Sequence, residues 1–332
     1  MEFVNGHPYA SATFALLTQH AKEEVVAPAL GDGLGARLEV VGDFDTDTLG
    51  TFTRDVARAG SQIEAARRKA AIAIERSGAS LGLGSEGAFV SGPFGLGSWN
   101  VERIVLIDAS RGIEVVGRAA AAGLHAYRAV ATRAELESVA EWARFPGHGL
   151  VVRPDGADDP RVRKGIRDWS TLESAFDEAR RLSAGGVAFV ESDLRAHMHP
   201  TRMSVIAQAA RDLVERLRTP CPGCRMPGFG SAEPVPGLPC AACGAPTRAP
   251  VAEEWRCVAC GRREERPIAG GSANRGSRDL RPLQSLSAFR RGAVLRSVAR
   301  RSPLRGRGGG GGGSRAHGTR GAIPRAIALL AA

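Results

Sequence analysis

The stretch from Pro220 to Gly261 writes Cys-x-x-Cys three times, as CPGC at 221–224, CAAC at 240–243 and CVAC at 257–260, and these hold all six cysteines of the chain. Two thiolates three residues apart grip one ion from a tight turn, and two such knuckles complete a tetrahedral S4 site. Clustering of this kind in a reducing compartment points to metal rather than to disulfides. Only 13 residues separate Cys243 from Cys257, so Cys240, Cys243, Cys257 and Cys260 read as a zinc ribbon on a β-hairpin. Cys221 and Cys224 are then left over. They can form a second site with His197 and His199, substitute for one of the other pairs, or act as a thioredoxin-type redox pair, and the neighbouring knuckles favour metal. Zinc here is expected to be structural, supplying folding free energy to a segment with few apolar residues.

At 332 residues there is room for a core of normal size beside such a module. The formal charge of +10 suggests a nucleic-acid binder until its location is considered. From Ile268 onward there are 13 Arg against Asp279 alone, a net of +12, which leaves residues 1–267 at −2. The basicity belongs to a Gly-, Ser- and Arg-rich tail, residues 268–332, with too little apolar periodicity to offset the entropy of ordering it. We expect that tail to be disordered. Its arginines can bind RNA or DNA phosphates through counterion release. No run of apolar residues reaches membrane-spanning length, and the N-terminus lacks the pattern of a secretory leader, so a cytoplasmic protein without a membrane partner is expected.

Ahead of the cysteines the pattern is α/β, with strands alternating with helices over residues 8–218. ATFALLTQH reads as a buried strand, KEEVVAPAL as helix and RLEVVGDF as strand, which implies a parallel pair with a crossover. SQIEAARRKAAIAIERSG is a helix with Ser61 at its N-cap and Gly78 as its stop. VERIVLID and GIEVVGRA suggest an antiparallel hairpin. Beyond it, RAELESVAEWARF, HGLVVRP, TLESAFDEARRL and GVAFVESD alternate helix and strand. After Pro200, Met203, Ile206, Ala207, Ala210, Leu213, Val214 and Leu217 draw one apolar stripe. The expected architecture is a mixed sheet flanked by helices (8–218), a zinc-ribbon-like module (219–267) and the tail.

Lysine is scarce: Lys22, Lys69 and Lys164 stand among 45 basic residues. Lys22 follows the first strand in TQHAKE, where a helix N-terminus favours an anion, and Thr18 and His20 add a hydroxyl and an imidazole. A compact ammonium suits the apex of a phosphate site, whereas a guanidinium suits a planar fork. In GLGSEGAF, Glu86 stands between glycines, where a carboxylate can hold Mg2+ facing a phosphate. DLRAHMHPTRM gathers Arg195, His197, Thr201 and Arg202 around a helix start as a second candidate anion site.

The strings LLTQHAKEEVVAPAL, FDTDTLGTFTRDVARAGSQIEAARRKA, LGLGSEGAF, DLRAHMHPTRM and CPGCRMPGFG closely resemble a bacterial and archaeal family carried as a domain of unknown function. That likeness spans roughly residues 8–267 and brings no activity with it. More distantly, TQHAKE, EAARRKA and GSEGAF are similar, in that order, to motifs of inosine/xanthosine triphosphate pyrophosphatases. The resemblance implies a Mg2+-dependent nucleotide site: Thr18, His20, Lys22 and Lys69 on the phosphates, Glu64 and Glu86 on the metal. The chain departs from those motifs in having His20 and Ala65 where asparagines are expected.

Overall fold

The computed structural model describes residues 6–49, 60–92, 97–240 and 242–268. The Arg/Gly-rich tail therefore lies outside the described residues, apart from Ile268. The described residues fall into two compact units: one comprises those between 6 and 230 with 256–263, the other those between 231 and 255 with 264–268.

The first unit is built on a mixed five-stranded sheet of order β2-β1-β3-β4-β5. β1 (Thr13–Leu17) pairs in parallel with both β2 (Arg37–Val41) and β3 (Leu81–Ser91). β3, β4 (Ser98–Asp108) and β5 (Ile113–Gly123) form an antiparallel meander, as the VERIVLID/GIEVVGRA pattern suggests. α1 (Glu23–Leu34) links β1 to β2, and α2 (Gln62–Ser77) precedes β3.

These helices lie on opposite faces, because successive side chains of a strand point to opposite sides. Phe14 and Leu16 of β1 share a core with Val26, Leu30 and Leu34 of α1 and with Ile206, Ala210 and Leu213 of α5 (Pro200–Arg218). Ala15 and Leu17 instead meet Ala73 of α2 and Val41. β1 thus sits where the chain departs to one face after one strand and returns over the other face before the next.

The boundaries of α2 follow from its sequence. Ser61 Oγ accepts from the Glu64 N–H while Glu64 Oε2 accepts from the Ser61 N–H at 2.6 Å, a reciprocal cap. Gly78, at φ 73°, closes the other end. The glycines of LGLGSEG serve this packing: a Cβ at Gly82 or Gly84 would run into the carbonyl oxygen of Ala70 or Ala66 in α2. Close approach of a backbone is what glycine permits here, and the backbone is that of a helix.

Between β5 and α5 the chain builds a second sheet, which the sequence pattern did not separate from the first. It is fully antiparallel, of order β6-β9-β7-β8, comprising β6 (Tyr127–Val130), β9 (Ala188–Ser192), β7 (Leu150–Arg153) and β8 (Arg163–Ile166). α3 (Arg133–Trp142) and α4 (Trp169–Leu182) cover it with Leu136, Val139, Leu172 and Phe176. β8 carries Lys164. The other unit holds most of a three-stranded sheet, β10 (Gly230–Pro236), β11 (Pro250–Arg256) and β12 (Arg263–Pro267). Among the described residues no helix is long and apolar enough to cross a membrane.

Candidate functional site: a buried cationic cluster and a four-cysteine centre

The loop leaving β1 turns sharply. Thr18 is buried, its Oγ1 accepts from the His20 N–H at 3.4 Å, and Ala21 adopts φ 56°. This turn sends Lys22, at the N-cap of α1, back over the sheet, where Nζ donates to Ser85 O at 2.8 Å and lies 3.3 Å from Ser85 Oγ. Ser85 follows Gly84, the last β3 residue in register with β1. On the α2 side of the same strand, Lys69 Nζ sits 2.5 Å from Glu86 Oε1. Gln62 of α2 steadies that point by donating to Glu86 O at 2.8 Å and to Val101 O at 2.8 Å.

The candidate anion site predicted from DLRAHMHPTRM arrives at the same place. Arg202, in the first turn of α5, pairs through Nε with Glu102 Oε1 at 2.6 Å and donates from Nη1 to Leu194 O. His199 caps α5, its Nδ1 accepting from the Arg202 N–H at 3.1 Å. His197 meets His20 edge to face, with ring centroids 5.2 Å apart.

Lys22, Lys69 and Arg202 are all at most 8% exposed, and their charges act on one another. Burial, then the Arg202 and Lys69 cations, push the Lys22 ammonium down to about 7 despite the opposing pull of Glu86 and Glu102. Burial drives His20 down to about 3, helped by Lys22, His197, Arg202 and Lys69. Burial and the neighbouring Lys69 and Arg202 cations thus hold both imidazole and ammonium short of protons. An incoming anion would favour the protonated form of each.

His20, Lys22, Lys69, Glu86, His197 and Arg202 therefore converge, with Thr18 shaping the loop. Glu64, Arg195 and Thr201 are engaged elsewhere. Glu64 is exposed at the α2 cap. Arg195 binds Asp193 at 2.6 Å, and Thr201 Oγ1 lies 2.8 Å from His148 Nε2. Glu102 and Ser85 are the residues that sequence reasoning missed. Glu102 shares one face of β4 with Asn100 and Asp108, all buried and polar among Ile104 and Leu106. That alternation is visible in NVERIVLID.

The four-cysteine centre takes one of the alternatives left open for Cys221 and Cys224: they substitute for Cys240 and Cys243. The sulfurs of Cys221, Cys224, Cys257 and Cys260 lie within 4.8 Å of one another. Cys221 Sγ is 3.7 Å from Cys260 Sγ, and Cys224 Sγ is 3.6 Å from Cys257 Sγ. Thiolates 2.3 Å from a tetrahedral ion stand about 3.8 Å apart, so the donor set fits a metal of the zinc kind. Disulfides need sulfurs at about 2 Å. The ribbon expected from Cys240, Cys243, Cys257 and Cys260 is thus corrected. Of the 13 residues after Cys243, seven are spent on the extended strand β11, which rises about 3.3 Å per residue and carries Cys257 away.

Burial pushes Cys224 up to about 12 and also raises Cys257. It opposes ionisation of Cys221 too, but there the N–H groups of Cys224 and Gly223 prevail and hold the thiol at about 7. No comparable group of three or more His, Cys, Asp or Glu ligand atoms occurs among the described residues.

A family model, Domain of unknown function (DUF6671), matches residues 69–271, more than half of the chain, including Lys69, Glu86, Arg202 and all six cysteines. Neither a curated protein nor a solved structure matches the chain. The likeness to inosine/xanthosine triphosphate pyrophosphatases gains nothing from these comparisons. Glu64 and Glu86, its implied Mg2+ ligands, bond to Ser61 and Lys69 instead.

Proposed function

Since the chain belongs to the DUF6671 family, which is described as a domain of unknown function, we propose from the geometry alone that it binds a phosphorylated small molecule, with nucleotides the first class to test, and carries a structural zinc. One observation carries this reading: Lys22, Lys69 and Arg202 are buried together against Glu86 and Glu102, beside the half-buried His20 and His197. Burial beside the Arg202 and Lys69 cations makes the charged form of Lys22 costly unless something compensates it. A phosphate would do so, and binding would return Lys22 to its charged form.

The position supports the same reading. In open α/β sheets, ligands bind beyond the carboxyl ends of strands where connections leave to opposite faces. Thr18, His20 and Lys22 follow the carboxyl end of β1, between α1 on one face and α2 on the other. Ser85 and Glu86 come from the neighbouring parallel strand. Hydrolysis of a bound nucleotide would require a nucleophile. The Glu64/Glu86 pair is not available in this arrangement, so binding is the function that the site supports best. Zinc on Cys221, Cys224, Cys257 and Cys260 would fasten the chain after α5 to the turn between β11 and β12.

Calorimetric titration of the zinc-loaded chain with inorganic phosphate, pyrophosphate and nucleoside mono- and triphosphates tests the reading, with pyrophosphate release followed in parallel. Saturable binding of at least one of these that weakens tenfold or more in Lys22→Met is expected. Absence of binding by every phosphate compound would remove the proposal.

A further inference from the structure

The third knuckle is built like the two that form the metal centre. In each, the first cysteine donates its N–H to the carbonyl five residues on: Cys221 to Met226, Cys240 to Ala245 and Cys257 to Arg262, all at 2.8 Å. In each, the carbonyl of that cysteine accepts from the residue four on: Arg225 at 2.9 Å, Gly244 at 2.8 Å and Gly261 at 3.1 Å. That fourth residue is left-handed every time, with φ of 65°, 72° and 73°. Backbone N–H groups of Ala242 and Cys243 point at the Cys240 sulfur, as that of Gly223 does at Cys221. Nothing in this turn resembles a redox pair at a helix N-terminus. It lies between β10 and β11, and its hydrogen bonds are those of a ligand turn.

Two of these knuckles meet and use each other. Their closest sulfurs pair the first cysteine of one with the second of the other, Cys221 with Cys260 and Cys224 with Cys257, an approximately two-fold arrangement. The third has only two thiols, one half-buried and one exposed, and no other His, Cys, Asp or Glu ligand group joins them among the described residues. A tetrahedral thiolate site needs two more sulfurs. A second copy of the same knuckle supplies them in the arrangement already seen inside the chain, and two identical knuckles related by a two-fold axis form a closed, self-complementary contact.

We propose that Cys240 and Cys243 are half of a second zinc site, completed by Cys240 and Cys243 of another copy of this chain. The metal joins two chains through four thiolates. No bond is oxidised; zinc binding releases the thiol protons to solvent.

The test counts metal and mass together. The reduced full-length chain is freed of excess zinc, titrated with zinc, and followed by bound metal per chain and by sedimentation velocity. We expect three zinc ions per two chains, with the molar mass doubling as the last half-equivalent binds. Cys240→Ser/Cys243→Ser should stop at one zinc per chain and keep the lower mass. Neither residue is buried, so the variant is expected to fold, and the titration of the unaltered chain is independent of it. Saturation at one zinc per chain, a second full equivalent without change of mass, a doubled mass that survives the double substitution, or a Cys240–Cys243 disulfide in place of metal would each overturn the proposal.

Discussion

Arg202 and Glu102, a hundred residues apart in sequence, are joined by a 2.6 Å contact between groups that are 1% and 0% exposed. Removing one partner leaves the other charge without compensation inside the protein, which costs about 3–5 kcal/mol. Arg202→Met is therefore expected to lower unfolding free energy by about that amount in urea. Arg202→Met/Glu102→Leu should recover most of it. A double variant no more stable than the single would show that the loss comes from packing and not from the orphaned charge.

Lys22→Met should stabilise the fold while weakening phosphate binding. The native ammonium is held near 7, below its usual 10.5. Between those values the unfolded chain binds more protons, so stability rises with pH across the window, and below 7 the full penalty of the buried charge is felt. The variant's advantage in urea denaturation should be largest below pH 7 and should fade towards pH 10.5. An advantage that does not change with pH would contradict the burial of this charge.

Acid should unfold this protein through its histidines. Burial lowers His20 to about 3 and His199 to about 4, and it also lowers His7 and His148, from an ordinary 6.5. The unfolded imidazoles take up protons first as pH falls, so stability is present above 6.5 and is lost as pH drops towards 4. Thermal unfolding followed over that range should show a falling Tm, and His199→Gln should flatten the dependence. A Tm that holds constant from pH 6.5 to 4 would refute it.

Gly84→Ala should destabilise by about 1–3 kcal/mol or more, because the added methyl meets the Ala66 carbonyl of α2 and not a movable side chain. Gly112→Ala is the useful contrast. Nothing lies within 4 Å of its would-be Cβ, and its cost comes only from φ 64°. Equal losses at the two positions would argue against the close helix–strand approach.

Loss of the metal held within one chain should follow from changes at Cys221, Cys224, Cys257 and Cys260 and not from changes at Cys240 or Cys243. Structural zinc in small modules contributes about 10–16 kcal/mol of binding free energy, so Cys257→Ser should lose the ion and expose the segment after α5 to proteolysis. Cys243→Ser should retain one ion per chain. Metal content measured after dialysis distinguishes the two, and loss of the one-per-chain ion in both would contradict the grouping.

Much of the frame was legible because it rests on local signals. Ser61 and Gly78 bound α2 just where their cap chemistry places them, and Ile206, Ala210, Leu213, Val214 and Leu217 of the stripe after Pro200 are buried. β6 and β8 were invisible: four residues each, with burial at only one position apiece, they carry no alternation to read. Thr18, His20, Lys22, Glu86 and the second motif around Arg202 could each be singled out. Their meeting depends on β1 lying beside β3 and on α5 returning its first turn to β4, which no spacing encodes. The cysteines show the same limit. Counting residues brought Cys243 near Cys257, whereas the direction of β11 decides which knuckle Cys257 meets.

The four-cysteine centre has a topological consequence. With a metal held by Cys221, Cys224, Cys257 and Cys260, the chain from Cys224 to Cys257 would be a ring whose clasp is an ion. A protease that nicks the loop between β10 and β11 opens the ring without freeing either piece. The severed halves would migrate as one molecule until a chelator takes the clasp away.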